Sequence, residues 1–555
     1  MLSLFSPKHL IMRLQLFFLI PLIVFSCASE KKPADLLVTN ATIYTVDDAF
    51  NTVEAFVVKD GKILESGPEV QLKKNYDARE VFDAKGRTIV PGLIDAHAHL
   101  YNLGVTLQQV DLVGTKSYRE ALDRVVAFQK EKNVKFISGR GWDQNDWEIK
   151  EFPTKEMLDS LFPDTPVALT RIDGHALWVN SKALEMAGIT ASTKVPGGEV
   201  VLKDGEPSGI LVDRPMYLVY NTMEGRTAEF NIQALKDAEE ICFSYGLTTI
   251  NEAGTTRGII ELIDSLQKNG EMELRVYAMI RSDVATLDHF LNKGIIKTER
   301  LNVRSVKGVA DGALGSRGAA MRAEYSDQPG QFGAMITTEE ELKAMARRIA
   351  DAGYQFNTHA IGDSANISVL RVYDEVLKDK SDPRWKVEHA QIVTPEDFKY
   401  FSEKILPSVQ PTHATSDMYW AEDRVGPDRI QGAYSFKTLL DRAGIIALGT
   451  DFPVERVNPM LTFYAAVARK DLEQYPEGGY RMQEGLSREE TLRGMTIWAA
   501  YSNFEEGEKG SIEAGKFADF VVLDRDIMKV DEDSIPQTKV SSTFLNGKQV
   551  YTADE

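Results

Sequence analysis

PGLIDAHAHL, residues 91–100, places His97 and His99 two positions apart at the end of an apolar run. Residues two apart on a strand point to the same side, so both rings face one place, with room for a metal ion between them. Such a pair also arises by chance in buried strands. Its meaning depends on whether other strands deliver further ligands to the same end.

Working outward, eight apolar runs are read as strands: TIVPGLIDAHAH, GLTTINEAG, LRVYAMI, VRSVKGVADG, YQFNTHA, WKVEHAQ, ILPSVQP and IIALGTDFP. Helical segments separate them. In TTEEELKAMARRIADAGYQFNTHA, Thr338 and Glu341 form a capping box. Leu342, Met345 and Ile349 line one face, and Gly353 is placed to stop the helix. TPEDFKYFSEK opens with Thr394 as N-cap and Pro395 at the first helical position. Repeated strand–helix–strand units predict an α/β fold with a parallel sheet. Eight strands predict a closed (β/α)8 TIM-like barrel over residues 91–506, with its chemistry at the C-terminal strand ends.

The gap between the first two strands is too long for one helix. It predicts an insertion subdomain over about 125–225, near the barrel mouth, holding GRGWDQNDW, RIDGHALWVNS and a turn at residues 203–205. Both chain ends read as β, with hairpin signals at Asp60-Gly61 and Asn546-Gly547. Segments 36–90 and 507–553 are expected to form one small β-sandwich domain. FEEGEKG, ahead of the last β part, reads as a solvated segment.

The chain has 555 residues and a formal net charge of -19, which argues against a nucleic-acid partner, because phosphate backbones require a basic surface. Residues 1–26 carry Lys8, Arg13 and no acid before LQLFFLIPLIVFS. This apolar run is shorter than the roughly 20 residues that span a bilayer, and its basic front marks a signal peptide. VFSC resembles the bacterial lipobox, with Cys27 as the lipidation site and residues 27–35 as a polar tether. The expectation is an exported chain held by a lipid anchor to a membrane of the bacterial cell envelope; a plain secreted or periplasmic protein is the alternative. Cys242 is then the one remaining thiol, which excludes an internal disulfide and a thiolate zinc cage.

Any metal must therefore be held by His, Asp, Glu or something unusual. His359 ends the fifth strand, His389 the sixth and Asp451 the eighth; with His97 and His99 they suit Zn2+ or a similar borderline divalent metal. Lys307 ends the fourth strand, where a lysine among cations is odd unless neutralised. Ligand types at five strand ends of one barrel make chance a poor account of the set.

PGLIDAHAH, GRGWDQNDW, DGHALWVNS, DGALGSR, NTHAIGD, VEHAQ, GTDFPV and GSIEAGKFADFVVLD together resemble the amidohydrolase superfamily and, within it, the amidohydrolase 3 (YtcJ-like) group. The resemblance spans nearly all of the mature chain. It implies a divalent metal centre hydrolysing amide or other C–N bonds. His97, His99 and Asp451 would hold the more buried ion, and His359 and His389 the outer one. Lys307 would carry a carbamate bridging both; with Lys307 unmodified, one ion is the natural count.

Asp451 is expected to move the proton in hydrolysis by metal-activated hydroxide, with His175 as a second catalytic residue at the mouth. Trp142, Asp143, Asp311, Arg317 and His413 are expected to contact substrate. Each has a plainer role open to it: Trp142 can fill a hinge, His175 can cap a helix, and Asp311 and Arg317 can pair. The expected partner is a small N-acyl, N-formyl or cyclic amide. Ester hydrolysis or deamination on the same centre, and a non-catalytic metal- or ligand-binding lipoprotein, stand as alternatives. The sequence leaves a homo-oligomer open.

Overall fold

A computed structural model describes residues 31–196, 198–223 and 227–554. The signal segment (1–26) and the lipidation site Cys27 lie outside the described residues. A strand already begins at Lys32 (Lys32–Thr39), so the tether expected over 27–35 ends earlier.

Eight parallel strands form the centre of the molecule. They are Leu93–Ala98, Leu247–Thr255, Arg275–Arg281, Leu301–Val309, Gln355–Ala360, Trp385–His389, Ile405–Val409 and Ala447–Leu448, and neighbours in space are neighbours in sequence. The intervening helices pack one apolar face against them. Arg257–Lys268, for example, buries Ile259, Ile260, Ile263 and Leu266. The capping box at Thr338 and Glu341 is present. Thr394 precedes only a 3-10 turn, Pro395–Tyr400.

The barrel is nearly closed by contacts just beyond its short eighth strand. Asp451 N–H donates to the His97 carbonyl at 2.8 Å, and His99 N–H to the Phe452 carbonyl at 2.8 Å. The buried Asp95 carboxylate accepts from Thr450 N–H (3.0 Å), the Thr450 hydroxyl (2.7 Å) and His97 N–H (3.1 Å). Gly449 lies so close to the first strand that a Cβ there would stand 2.5 Å from His97 N.

Between the first and second strands, a six-stranded sheet runs from Val110–Asp111 through Glu206–Asp213. It starts upstream of the 125 boundary read from sequence, because the chain pairs as soon as it leaves the helix Leu100–Leu107. Trp142, Trp147 and Trp178 form its interior.

The chain ends contribute a four-stranded sheet, with strands Lys62–Gly67, Ala55–Lys59, Lys32–Thr39 and Tyr76–Asp83, and a six-stranded sheet. In the latter, Thr88–Pro91 pairs antiparallel with Phe520–Leu523 from the far end of the chain. Phe56 meets Phe520 edge-on at 5.0 Å, and Phe82 meets Phe544 at 4.9 Å. Hairpins form at both Asp60-Gly61 and Asn546-Gly547.

FEEGEKG is not a solvated segment. Glu505 and Lys509 are 3% and 4% exposed and pair at 2.9 Å, with Lys297 at 3.2 Å. Mutual neutralisation allows both charges to be buried.

A second buried pair ties the barrel to the terminal sheet. The fully buried Arg275 guanidinium donates to Asp519 at 2.7 and 3.0 Å and to Asn546 at 2.5 Å. Asp519→Ala should therefore leave an uncompensated cation and cost about 3–5 kcal/mol in urea denaturation. The double variant with Arg275→Met should lose less than Asp519→Ala alone, and additive losses would show that the pair is not coupled.

Candidate metal centre

The seam gathers the first ligand set. Because Asp451 is bonded to the His97 backbone, the side chains of His97, His99 and Asp451 converge. His99 Nε2 is 3.2 Å and His97 Nε2 3.7 Å from Asp451 Oδ1. His413, on the helix Pro411–Asp417, reaches the other oxygen, with Nε2 3.7 Å from Asp451 Oδ2. Two groups have ligand atoms mutually within 4.8 Å, His97 with His99 and Asp451, and His389 with His413 and Asp451. Asp451 is common to both. His413, expected as a substrate contact, thus occupies a ligand-type position.

His359 joins the same cluster, its ring centroid 4.6 Å from that of His389 and its Nε2 3.6 Å from Asp311 Oδ1. The Lys307 amine lies 2.9 Å from His97 Nε2. His389 and Asp451 have φ of 71° and 63°, left-handed backbone that a non-glycine residue rarely adopts and that concentrates at functional sites.

Burial sets the charge states. It lowers the pKa of His97 and His389, and that of His359 to about 3; Lys307 pushes all three the same way, neighbouring histidines add to it at His359 and His389, and Glu388 opposes it at His97. Neutral imidazoles are the form that binds metal. Burial also lowers Lys307, against the pull of Glu388 and Asp451. For Asp451 burial acts upward, but His99, His97 and His413 outweigh it and hold the carboxyl well below the usual carboxylate range.

Two partners went unread in the sequence. Glu388 Oε2 lies 2.5 Å from His97 Nδ1, and Gln410 Oε1 lies 2.7 Å from His389 Nδ1. Each acceptor places the proton on Nδ1 and turns the Nε2 lone pair toward the cluster, as outer partners of metal-bound histidines do. The acid immediately before His389 in VEHAQ was the available signal. Glu388 is held down to about 2: burial would raise it, but His97 and the nearby lysines prevail.

The donor set fits a cation. Buried His359 Nε2 and His413 Nε2 have no hydrogen-bond partner, and orphaned buried acceptors call for one. Imidazoles around one carboxylate are a divalent-metal donor set.

Of the other expected site residues, Asp311 borders the cluster through His359 and the rest lie elsewhere. Trp142 is a correction: it is fully enclosed, its indole N–H donates to Leu169 O at 2.7 Å, and it offers no face to a substrate. Asp143 caps a 3-10 turn through Asn145 N–H (2.9 Å) and pairs with Arg171 at 2.6 Å. His175 is exposed on the insertion and pairs with Asp213 at 2.7 Å. Asp311 and Arg317 do not pair with each other. Fully buried Asp311 accepts from Ala320, Ile361 and Gly362 N–H groups at 2.9, 3.0 and 2.8 Å, with its pKa raised to about 7 by burial. Arg317 binds Asp327 at 2.8 Å. Cys242 is buried core, its thiol pushed up by burial.

If Glu388 orients His97, Glu388→Ala should weaken metal binding about 10–100-fold in chelator competition. Glu388→Gln, which keeps an acceptor, should recover most of it; unchanged affinity in the alanine variant would contradict the orientation.

Residues 80–551 match the model of the amidohydrolase family. The putative amidohydrolase YtcJ of Bacillus subtilis (strain 168) is 31% identical, covering 92% of this chain and 98% of that protein. The N-substituted formamide deformylase of Arthrobacter pascens is 26% identical over 93% of this chain and 98% of its own. A crystal structure of an uncharacterized metal-dependent hydrolase from Pyrococcus horikoshii superposes with a TM-score of 0.74 at 28% identity, covering 90% of this chain and 99% of that one. The chain belongs to the amidohydrolase family.

Proposed function

We propose that this chain is a metal-dependent hydrolase cleaving an amide or other non-peptide C–N bond of a small N-acyl, N-formyl or cyclic amide substrate. One observation carries the reading: a buried Asp451 carboxylate shared by two ligand-type groups of histidines. The likeness to the formamide deformylase over nearly the whole chain supports the amide class.

His97, His99 and Asp451 would hold one ion, and zinc suits them. His359 and His389, with His413 in reach, would hold a second if Lys307 is carboxylated. Burial favours the neutral Lys307 amine, the form whose lone pair attacks CO2, releasing a proton as the N–C bond forms.

When bound, the metal supplies Lewis acidity, activating water and polarising the scissile carbonyl. Asp451 accepts the proton from the attacking water and returns it to the leaving nitrogen. Glu388 and Gln410 keep the His97 and His389 rings in one tautomer.

Asp451→Asn should lower turnover by about 10²–10⁴-fold across a panel of N-acyl amino acids, N-formyl amines and cyclic amides. Full activity in that variant, or wild-type turnover of esters alone, would contradict the assignment.

The proposal includes export and a lipid anchor at Cys27, with VFSC as the supporting feature. Radiolabelled palmitate should enter the wild-type chain in a bacterial host and not a Cys27→Ser variant; equal labelling of both would remove the anchor.

A further inference from the structure

Away from the metal centre, two arginines face inward without an anion. Arg469 is fully buried. Its Nε donates to the Tyr480 carbonyl at 2.9 Å, while Nη1 and Nη2 have no hydrogen-bond partner. Arg481 donates from Nη2 to the Gln431 carbonyl at 2.5 Å, and its buried Nε and Nη1 also lack partners. The buried Tyr480 hydroxyl is likewise unpartnered. Among the described residues, neither arginine makes an ion pair. The neighbouring acid, Glu484, favours both cations from a distance but bonds neither, accepting instead from Thr438 Oγ1 at 2.9 Å and Thr438 N at 3.0 Å, while the Arg469 guanidinium lies over the Phe436 ring at 4.8 Å.

This arrangement is unlike that of the other fully buried arginine described above, Arg275, which has a carboxylate at 2.7 Å. Burial and the charge of Arg481 both act against the Arg469 cation. Two guanidinium groups that repel each other and keep unfilled donors offer a place for a hydrogen-bonding anion. The planar guanidinium fork suits an oxyanion that can accept from several N–H groups at once.

We propose that Arg469, Arg481 and Tyr480 form a buried binding site for a small oxyanion, either inorganic phosphate or a carboxylate group. The site closes the base of one loop. Tyr480 N–H donates to the Arg469 carbonyl at 2.7 Å, so residues 470–479 leave and return at the same point, with both arginines in left-handed backbone (φ 55° and 48°). Asp471, Leu472 and Glu473 of that loop wall a cavity of about 300 Å3 together with Thr412 and Ser416. Those two residues lie on the helix Pro411–Asp417, which also carries His413. Anion binding thus fastens a wall beside the metal centre without using any of its ligands.

The test uses the metal-loaded protein in a bulky sulfonate buffer free of phosphate, carboxylate and halide. Inorganic phosphate and acetate are titrated separately at constant ionic strength. At least one should raise Tm saturably, by about 2 °C or more at 100-fold over its Kd, and slow hydrogen exchange in residues 470–479. Phosphate acting alone identifies a phosphate site; acetate acting identifies a carboxylate site. Arg469→Met and Arg481→Gln should each abolish both effects, while anion bound at the metal centre would persist in them. Should Arg469→Met fail to fold, the half-buried Arg481→Gln carries the comparison. No response to either anion, or an equal response in Arg481→Gln, overturns the proposal.

Discussion

Closure of the barrel between its last and first strands is the constraint on which the site depends. The eighth strand is regular for only two residues, Ala447–Leu448. The seam beyond it is made by Asp95 gripping Thr450 and by backbone bonds from Asp451 to His97 and from His99 to Phe452. Only glycine fits at position 449, where any side chain would strike the first strand. These contacts bring residues more than 350 positions apart into one cluster. Without them the two histidines of the first strand would have no carboxylate to share.

The same burial that makes the cluster costly in water makes it suited to a cation. Desolvation favours the neutral form of His97 and His389, while the hydrogen bond from His99 favours the Asp451 carboxylate. Ligand orientation comes from one layer further out, through Glu388 on His97 and Gln410 on His389. These partners lie on the sixth strand and just beyond the seventh, so the barrel scaffold positions the ligands and also fixes their tautomers.

Much of this was legible in the sequence. The eight strands were readable because each pairs an apolar run with a helical period beside it, and the ligand residues because they stand at strand ends. Glu388 was visible as an acid beside His389, but its partner, His97, was not. Strict alternation turns the residue before His389 away from it, yet the left-handed backbone at His389 breaks alternation at that point. Asp95 was hidden inside an apolar run, where its role as a seam acceptor depends on Thr450, far along the chain. Trp142 was misread because an aromatic in a polar motif resembles a binding residue; only the packing of Trp147 and Trp178 around it reveals a core. His413 was expected only to contact substrate, and its place beside Asp451 is set by the helix after the seventh strand. The buried charges of Glu505 and Lys509 are invisible in composition, since they become tolerable only once paired.

The central claim is that this seam builds a cation site from His97, His99 and Asp451. Anomalous X-ray scattering from crystals of the metal-loaded protein, recorded at the absorption edge of the bound metal, tests it most directly. The account predicts a strong anomalous peak within bonding distance of His97 Nε2, His99 Nε2 and an Asp451 oxygen. A peak elsewhere in the molecule with none between these three side chains would contradict it.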